Sequence, residues 1–523
     1  MLLIQVIKKS NLEQKIMLYR TYGVTLIGIE VVKVTIEVSV GNGVGIYLVG
    51  LPDSAVKESL LRVTTAIQRY SYRVPGKKVV INMAPADIKK EGSVFDVAIA
   101  VGLLAASEQI PNFNSDEFLI MGELSLDGLL RPVKGALPVA INAASLGFKS
   151  CIFPYESAGE ARNVEGVNIY GASTFREVVD ILIGADYTEE LKFHPETFKS
   201  IKSDFKNNFS NVKGQVFAKR GLEISAAGGH NILLSGPPGS GKSFMASCIP
   251  SILPPMTKEE SLETSVIYSV AGKSEISSGL MRQRPFRTPH HTSSIVSLVG
   301  GGPKAMPGEI SLAHNGVLYL DEMPQYGSST LDVLRQPLED REISISRCRY
   351  KVSYPASFML VGSMNPCPCG YAGEDDGRCI CTEGVIQRYL SKISGPLMDR
   401  MDLFVRVHPV PSNLLLSDAY DESSEVIAER VAKARDIQSN RFKRDKTGYV
   451  CHTNAQMTSK YLSLFCKLDN DSKRLMDNIV NKYSLSARSY SRLLKVARTI
   501  ADLSGDKNIL STHILEAVQY RFF

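Results

Sequence analysis

The chain has 523 residues, 44% of them hydrophobic and 22% charged, with a mean hydropathy near zero. That length exceeds one ordinary core and predicts roughly two to four domains, and no apolar run approaches the roughly 18–20 residues a membrane span needs. The opening Met1-Leu2-Leu3-Ile4 run is soon broken by Lys8 and Lys9 and lacks the features of a secretory signal, so a cytoplasmic protein with no membrane partner is expected. The formal charge of +6 permits nucleic acid as a partner without arguing for it.

In chain order, residues 1–16 carry mixed polarity and read as an N-terminal extension. From Met17 to about 185, short Val/Ile-rich runs (31–40, 45–49 and 79–83) alternate with helical patterns such as 96–106, which predicts a compact α/β domain. Residues 186–211 are polar without a sustained apolar period and read as a linker. Strands and helices alternate again over 212–408, and 409–523 is helical, with segments at 426–441, 471–482, 487–503 and 511–521. There is no internal repeat and no low-complexity tract.

The most specific motif follows the apolar strand 231–235. Gly236, Pro237, Pro238, Gly239, Ser240, Gly241, Lys242 and Ser243 form G-x-x-x-x-G-K-S between that strand and a helix beginning near Phe244. The glycines let backbone N–H groups turn inward around a β-phosphate, and the helix start adds its positive end. Lys242 is expected to reach the β/γ oxygens of ATP, and Ser243 to ligate Mg²⁺. The plainer reading is a Gly/Pro-rich turn with a chance lysine.

A second half-site is expected where a buried strand ends in acid. Residues 316–320 are a continuous apolar run, as in a strand buried on both faces of a parallel sheet, and Asp321 and Glu322 follow. Asp321 is expected in the Mg²⁺ shell and Glu322 as the general base for the attacking water. A third strand, 358–364, ends at Asn365, where open α/β sheets place ligand-contacting groups. Asn365 is therefore a candidate sensor of the γ-phosphate, against the plainer reading of a turn former before Pro366.

The four cysteines of the next loop stand apart from the scattered Cys151, Cys248, Cys348, Cys451 and Cys466. Cys367, Cys369, Cys379 and Cys381 form two C-x-C pairs around a glycine-containing loop and could supply a tetrahedral Zn²⁺ site, although the gaps are shorter than the common spacing. Four free thiols in a surface loop would carry the same pattern.

Several longer motifs now fall together. Beside the loop at 236–243 stand Arg-Pro-Phe-Arg-Thr-Pro-His-His-Thr-Ser-Ser at 284–294 and Pro-Gly-Glu-Ile-Ser-Leu-Ala-His-Asn-Gly at 307–316. Asn-Pro-Cys-Pro-Cys-Gly at 365–370, Ser-Gly-Pro-Leu-Met-Asp-Arg-Met-Asp at 394–402 and Ser-Ala-Arg-Ser-Tyr-Ser-Arg at 486–492 join them. With the segments at 49–59, 84–92 and 519–521, the sequence from about residue 17 onward resembles the magnesium-chelatase-like AAA+ ATPases known as YifB or ComM.

The resemblance implies an α/β fold with three parts: a Lon-protease-like (ribosomal S5 domain 2-like) N-terminal domain, an AAA+ P-loop core and a C-terminal helical lid. It also implies a homo-oligomeric ring, expected as a hexamer, with ATP between subunits. The activity it implies is ATP-driven helicase work on single-stranded or branched DNA, including branch migration in recombination or natural transformation. Arg400 matches the position of the arginine that completes a neighbour's site, with Arg388 as second choice, and Arg488 that of a lid arginine acting in cis. Each could instead form a surface salt bridge.

Arg488, Arg492 and Lys495 share one helix face at i, i+4 and i+7, which could meet nucleotide, DNA or only solvent. Arg282, Arg284, Arg287, His290 and His291 could contact phosphates in a central pore. Arg341, Arg347, Arg349 and Lys351, with alternating Ile343 and Ile345, read as a hairpin that could grip DNA or lie exposed.

In the N-terminal domain the serine and lysine positions of a Lon-type dyad fall on Val94 and near Leu137, which can neither attack a carbonyl nor take a proton. A non-proteolytic domain is expected, with Ser93 and Lys134 keeping an ATP-dependent peptidase open. A chelatase-type motor acting through a partner subunit and a slowly hydrolysing assembly factor are also compatible with the sequence.

Overall fold

The computed structural model describes residues 17–196, 205–274, 279–302, 305–346, 351–374, 377–411, 421–442 and 451–521. The expected extension 1–16 and residues 197–204 of the expected linker lie outside the described residues. The chain divides into two compact units, Met1–Phe198 with Ser265–Met281, and Lys199–Thr264 with Arg282–Phe523.

In the first unit, β1 (Met17–Ile27) and β2 (Glu30–Gly41) form an antiparallel hairpin through the two-residue turn Gly28–Ile29. With β3 (Gly45–Val49) and β4 (Lys78–Ala84) they make a sheet in the order β1-β2-β4-β3. Along β2, Val34, Ile36 and Val38 are fully buried while Thr35, Glu37 and Ser39 point the other way, the period of a strand with one core face. The helix Asp96–Ala106 is apolar on nearly every side, and all its residues are buried.

A second sheet has the order β10-β9-β8-β5, from β5 (Phe118–Ile120), β8 (Ser150–Pro154), β9 (Asn168–Ala172) and β10 (Lys192–Phe193). The short hairpin β6 (Glu123–Leu124) and β7 (Leu130–Arg131) precedes β8. Part of the expected linker is therefore structured: residues 186–191 form a 3₁₀ turn and β10 pairs with β9. The apolar Phe193 decides this, since its ring lies 5.3 Å from that of Tyr155. Residues 265–281, which the sequence places in the stretch 212–408, also belong to this unit. There Ser269 Oγ donates to Glu160 Oε1 at 2.7 Å, and the same oxygen accepts Leu137 N–H at 3.1 Å.

The second unit is built on a parallel five-stranded sheet in the order β12-β15-β18-β11-β19. Its strands are β11 (Ile232–Ser235), β12 (Phe286–Arg287), β15 (Val317–Leu320), β18 (Met359–Met364) and β19 (Leu403–Arg406). Two antiparallel pairs flank it, β13 (Gly300–Gly301) with β14 (Met306–Pro307), and β16 (Glu342–Ser346) with β17 (Lys351–Pro355). Every residue of β11, β15 and β18 is buried, which is why these strands read as continuous apolar runs.

The helices Ser424–Phe442, Ser459–Phe465, Asn470–Tyr483, Ala487–Ser504 and Ser511–Gln519 complete the unit. Asp469 and Ser486 cap two of them by accepting the N–H groups of Ser472 and Ser489. Ile427, Val431, Leu493 and Ile500 of these helices share one core with Ile232, Leu234 and Val405 of the sheet. The expected parts 212–408 and 409–523 thus have a common interior. The helix Ser459–Phe465 is too short to announce itself by periodicity; it holds its place by packing Tyr461 and Phe465 against Phe442 of the helix Ser424–Phe442, with ring centroids 5.8 and 5.9 Å apart.

Candidate phosphate site

β11 runs directly into the glycine-rich loop, and the helix Lys242–Cys248 leaves it. A Cβ at Gly236 would stand 2.2 Å from the Val407 carbonyl oxygen, so only glycine allows β11 to end so close to the chain following β19. Gly241, at φ 88°, takes the left-handed conformation that turns the backbone into the helix. Lys242 Nζ donates to the carbonyls of Gly236 at 2.7 Å and Pro237 at 2.8 Å, and lies 3.3 Å from Asn365 Oδ1. Burial lowers the ammonium's pKa, while Asp321 and Glu322 pull it back up.

The acidic half meets this loop directly. Ser243 Oγ donates to Asp321 Oδ2 at 2.9 Å, and the Ser363 hydroxyl donates to Oδ1 of the same carboxylate. Burial raises the Asp321 pKa, but hydrogen bonds from Ser363, Ser243 and Tyr319 outweigh it and hold the carboxyl below its ordinary value. Glu322 N–H bonds Asp321 Oδ1 at 3.0 Å and Ser363 Oγ at 3.2 Å, leaving its own side chain exposed. Its φ of 50° is unusual for a residue with a side chain, and such strain, on the order of 1 kcal/mol, is typically kept where function requires it.

The ends of β11, β15 and β18 thus bring together Lys242, Ser243, Asp321, Glu322 and Asn365. A hydroxyl and a carboxylate pointing at one another suit a hard divalent cation, and the loop amides and ammonium suit phosphate. Sequence reasoning misses Ser363. The signal for it is a fully buried serine inside the otherwise apolar run 359–364.

The cysteine loop adjoins this site. One sulfur atom from each of Cys367, Cys369, Cys379 and Cys381 lies within 4.8 Å of the others. Cys379 Sγ is 3.8 Å from Cys367 Sγ and 3.7 Å from Cys369 Sγ. Tetrahedral zinc with Zn–S bonds near 2.3 Å requires sulfurs about 3.8 Å apart. Cys367 Sγ also accepts the N–H groups of Gly370 at 3.2 Å and Ala372 at 3.3 Å. The donor set fits zinc, as do the two separations from Cys379 Sγ, while Cys367 Sγ and Cys369 Sγ, at 3.2 Å, would have to part by about 0.6 Å around the ion. A Cβ at Gly370 would stand 2.5 Å from Pro238 Cδ, so the cysteine loop rests on the phosphate loop.

The basic residues are disposed differently from expectation. Arg284 lies within the fold, bonded to Glu260 Oε2 at 2.7 Å and to the carbonyls of Pro254 and Asn315, each at 2.7 Å. Arg287, on β12, forks onto Glu309 at 2.6 and 2.9 Å. Both arginines are thus engaged in ion pairs within the unit, Arg287 on β12 and Arg284 two residues ahead of that strand. His290 and His291 stack on each other with ring centroids 4.1 Å apart.

The predicted hairpin forms as β16 and β17, with Ile343 and Ile345 buried. Its Arg341 turns inward to Ser357 Oγ at 3.2 Å and the Ala455 carbonyl at 3.4 Å, while Arg347 and Arg349 lie outside the described residues. The supposed basic face of the helix Ala487–Ser504 is engaged within the unit. Arg492 pairs with Asp402, Lys495 Nζ donates to the Ala455 carbonyl at 3.0 Å, and Arg488 pairs with Glu339. Glu339 Oε2 also holds Arg400 Nη2 at 2.6 Å, and Arg400 is buried. Arg388 is exposed on the helix Glu383–Leu390.

In the first unit, Leu137 is fully buried and Val94 packs against the core. Ser93 donates its hydroxyl to Glu123. Lys134 runs beside Gly272, whose Cβ would stand 2.4 Å from Lys134 Cε. Among the described residues no hydrogen bond joins Ser93 to Lys134.

A parallel sheet in which β11 feeds a G-x-x-x-x-G-K-S loop, with Asn365 ending the adjacent β18 and Asp321 and Glu322 following β15 one strand further on, defines a P-loop protein of the AAA+ type. Family models described as "Magnesium chelatase, subunit ChlI", "Subunit ChlI of Mg-chelatase" and "Magnesium chelatase, subunit ChlI C-terminal" match residues 208–415, 34–157 and 421–521. Over 506 residues the chain is 42% identical to the competence protein ComM of Haemophilus influenzae, covering 96% of each. It is 42% identical over 498 residues to YifB of Escherichia coli, covering 95% of each. A shorter stretch of 147 residues, 28% of this chain, is 31% identical to Lon protease 2 of Bacillus subtilis and covers 26% of it. The chain belongs to the magnesium-chelatase-like AAA+ family that includes YifB and ComM. No described helix is long and apolar enough to cross a membrane.

Proposed function

We propose that the protein is an ATP-hydrolysing motor that works as a homo-oligomeric ring, a hexamer, on single-stranded or branched DNA. The observation that carries this reading is the convergence of Lys242 and Ser243, which open the helix after β11, with Asp321 after β15 and Asn365 after β18. Lys242 binds the β- and γ-phosphates, for which its carbonyl partners at 236 and 237 hold it in place. Ser243 and Asp321 hold Mg²⁺, which when bound neutralises charge on the β- and γ-oxygens. Glu322 accepts the proton of the attacking water, and Asn365 orients that water. Arg400 completes a neighbouring subunit's site, and Arg488, held by the same Glu339 carboxylate, acts beside it.

On this reading the first unit is a Lon-like domain without proteolysis, used for substrate or subunit contact. Support comes from the Lon protease 2 match and from the burial of Leu137 at the expected lysine position. The helices from 424 onward act as the lid, and the four cysteines hold structural zinc. The DNA part rests on full-length similarity to a competence protein. Recombination or branch migration during uptake of DNA is the corresponding pathway.

The test is ATP hydrolysis with and without forked DNA, together with strand displacement from that fork. ATP-dependent displacement supports the proposal, and turnover indifferent to DNA refutes its DNA half. A second reading, a chelatase-type motor driving metal insertion through a partner, is favoured by 27% identity over 178 residues to the magnesium-chelatase 38 kDa subunit of Rhodobacter capsulatus, half of that protein. Stimulation by a chelatase partner subunit instead of DNA would select it. The peptidase reading predicts cleavage that disappears in Ser93→Ala or Lys134→Ala.

A further inference from the structure

Glu339 lies on the one-turn helix Pro337–Asp340, just ahead of the hairpin β16–β17. Its two carboxylate oxygens serve distant parts of the chain. Oε2 takes Arg400 Nη2 at 2.6 Å, and Oε1 takes Arg488 Nη2 from the first turn of the helix Ala487–Ser504. Arg400 has one further bond, Nη1 to the Pro396 carbonyl at 2.7 Å, while its buried Nε has no partner among the described residues. Its orientation therefore depends on Glu339 more than on any other side chain.

The carboxylate is itself firmly placed. Two residues on, Arg341 adopts a left-handed φ of 58° and is tied to Ser357 and Ala455. Burial pushes the Glu339 pKa up, but Arg400 and Arg488 together hold it below the ordinary carboxylate value, so the group is charged at neutral pH.

One carboxylate between two guanidiniums leaves an excess positive charge where the two converge. A partly buried ion pair of this kind contributes orientation more than stability, because desolvation offsets much of the attraction. Arginine's planar fork makes that orientation specific.

We propose that Glu339 is a positioning residue that holds Arg400 and Arg488 in fixed relation to each other, so that both meet phosphoryl oxygens at the angle hydrolysis requires. The assignment rests on the ATPase reading above. Glu339 touches no substrate; it acts through the two arginines. It also ties them to the base of the hairpin, which begins three residues later.

The experiment is steady-state ATP hydrolysis and equilibrium nucleotide binding for the full chain and for Glu339→Gln, Arg488→Gln and their double variant. Glu339→Gln keeps the shape and removes the charge. Its kcat is expected to fall roughly 10–100-fold, less than the about 100–1000-fold of removing a transition-state donor outright, because the arginines are disoriented and not lost. KM and nucleotide affinity stay within about twofold, because the loop at 236–243 and Asp321 are untouched. The double variant loses less than the product of the single losses, since both act through one contact.

Wild-type kcat in Glu339→Gln, parallel loss of nucleotide binding, or fully multiplicative losses would each overturn the proposal. If Glu339→Gln does not fold, Glu339→Asp decides by the same criterion: reduced kcat at unchanged KM supports it, and unchanged kcat overturns it. A wild-type chain that hydrolyses no ATP removes both this inference and the ATPase reading. An active wild type with an equally active Glu339→Gln removes this inference alone.

Discussion

Ser243 and Asp321 stand 78 positions apart in the chain and meet at 2.9 Å, hydroxyl to carboxylate. Ser243 comes from the first turn of the helix that follows β11 and its glycine-rich loop, and Asp321 directly follows β15, with β18 lying between the two strands. Ser363 of that intervening strand braces the Asp321 carboxylate from the other side.

From this arrangement, Glu322→Gln should bind ATP with near-normal affinity and hydrolyse it at least about 100-fold more slowly, the usual scale of losing a general base. Lys242→Ala should weaken binding itself, by roughly 10–100-fold for a charge-assisted contact. Fluorescent-nucleotide titration and phosphate release measure the two effects separately. Wild-type turnover in both variants would show that the site is misassigned.

Asp402 is the buried anion on which the C-terminal helices and the sheet are joined. It accepts Asn231 N–H at 2.9 Å, pairs with Arg492, and lies 3.7 Å from His230 Nδ1. Replacing it with asparagine leaves Arg492 without its charge partner and should cost about 3–5 kcal/mol. Burial raises the Asp402 pKa, but Arg492 and His230 more than reverse this and hold it far below the ordinary value. A carboxyl depressed in the folded state stabilises fully above its unfolded pKa, about 3.9, and loses that contribution as pH falls below it. Urea denaturation at pH 7 and pH 3 should therefore separate wild type from Asp402→Asn less at the lower pH.

Lys495 runs the other way. Burial pushes its ammonium down to about 8. An unfolded lysine titrates near 10.4. Between those values the unfolded chain binds the extra proton, so stability gains as pH rises. The limiting gain is on the order of 3 kcal/mol. Wild type measured against Lys495→Met by chemical denaturation should improve from pH 8 to 10; a difference independent of pH would contradict the burial of this group.

Zinc should co-purify with the full chain at one ion per chain and be lost on replacing Cys379 with serine. Elemental analysis checks the stoichiometry. Structural zinc also predicts a lower melting temperature after prolonged chelation, whereas four free thiols predict no change.

The parts of the fold that sequence makes legible are those with strong local patterns. The runs at 231–235, 316–320 and 358–364 carry no charge, and burial on both sheet faces requires that. The helix at 96–106 appears at its expected bounds. What sequence hides depends on remote partners. Arg284 reads as a free cation until Glu260, 24 residues earlier, comes beside it. Arg488 reads as half of a basic face until Glu339 arrives from 149 positions away. Ser269 reads as part of the wrong stretch because its partner, Glu160, lies 109 residues upstream. Hydrophobic period records which face is buried; it carries no information on which buried acid will answer which base.

Gly370 meets Pro238 with no room for even a methyl group. On the ATPase reading proposed above, the cluster of thiols is then the backstop of the nucleotide's berth, and it ends a loop that starts at Asn365. On that reading, an oxidant or competing metal that rearranged those sulfurs would press on Pro238 of the phosphate loop, and thiol chemistry would be felt in how firmly the motor grips its fuel.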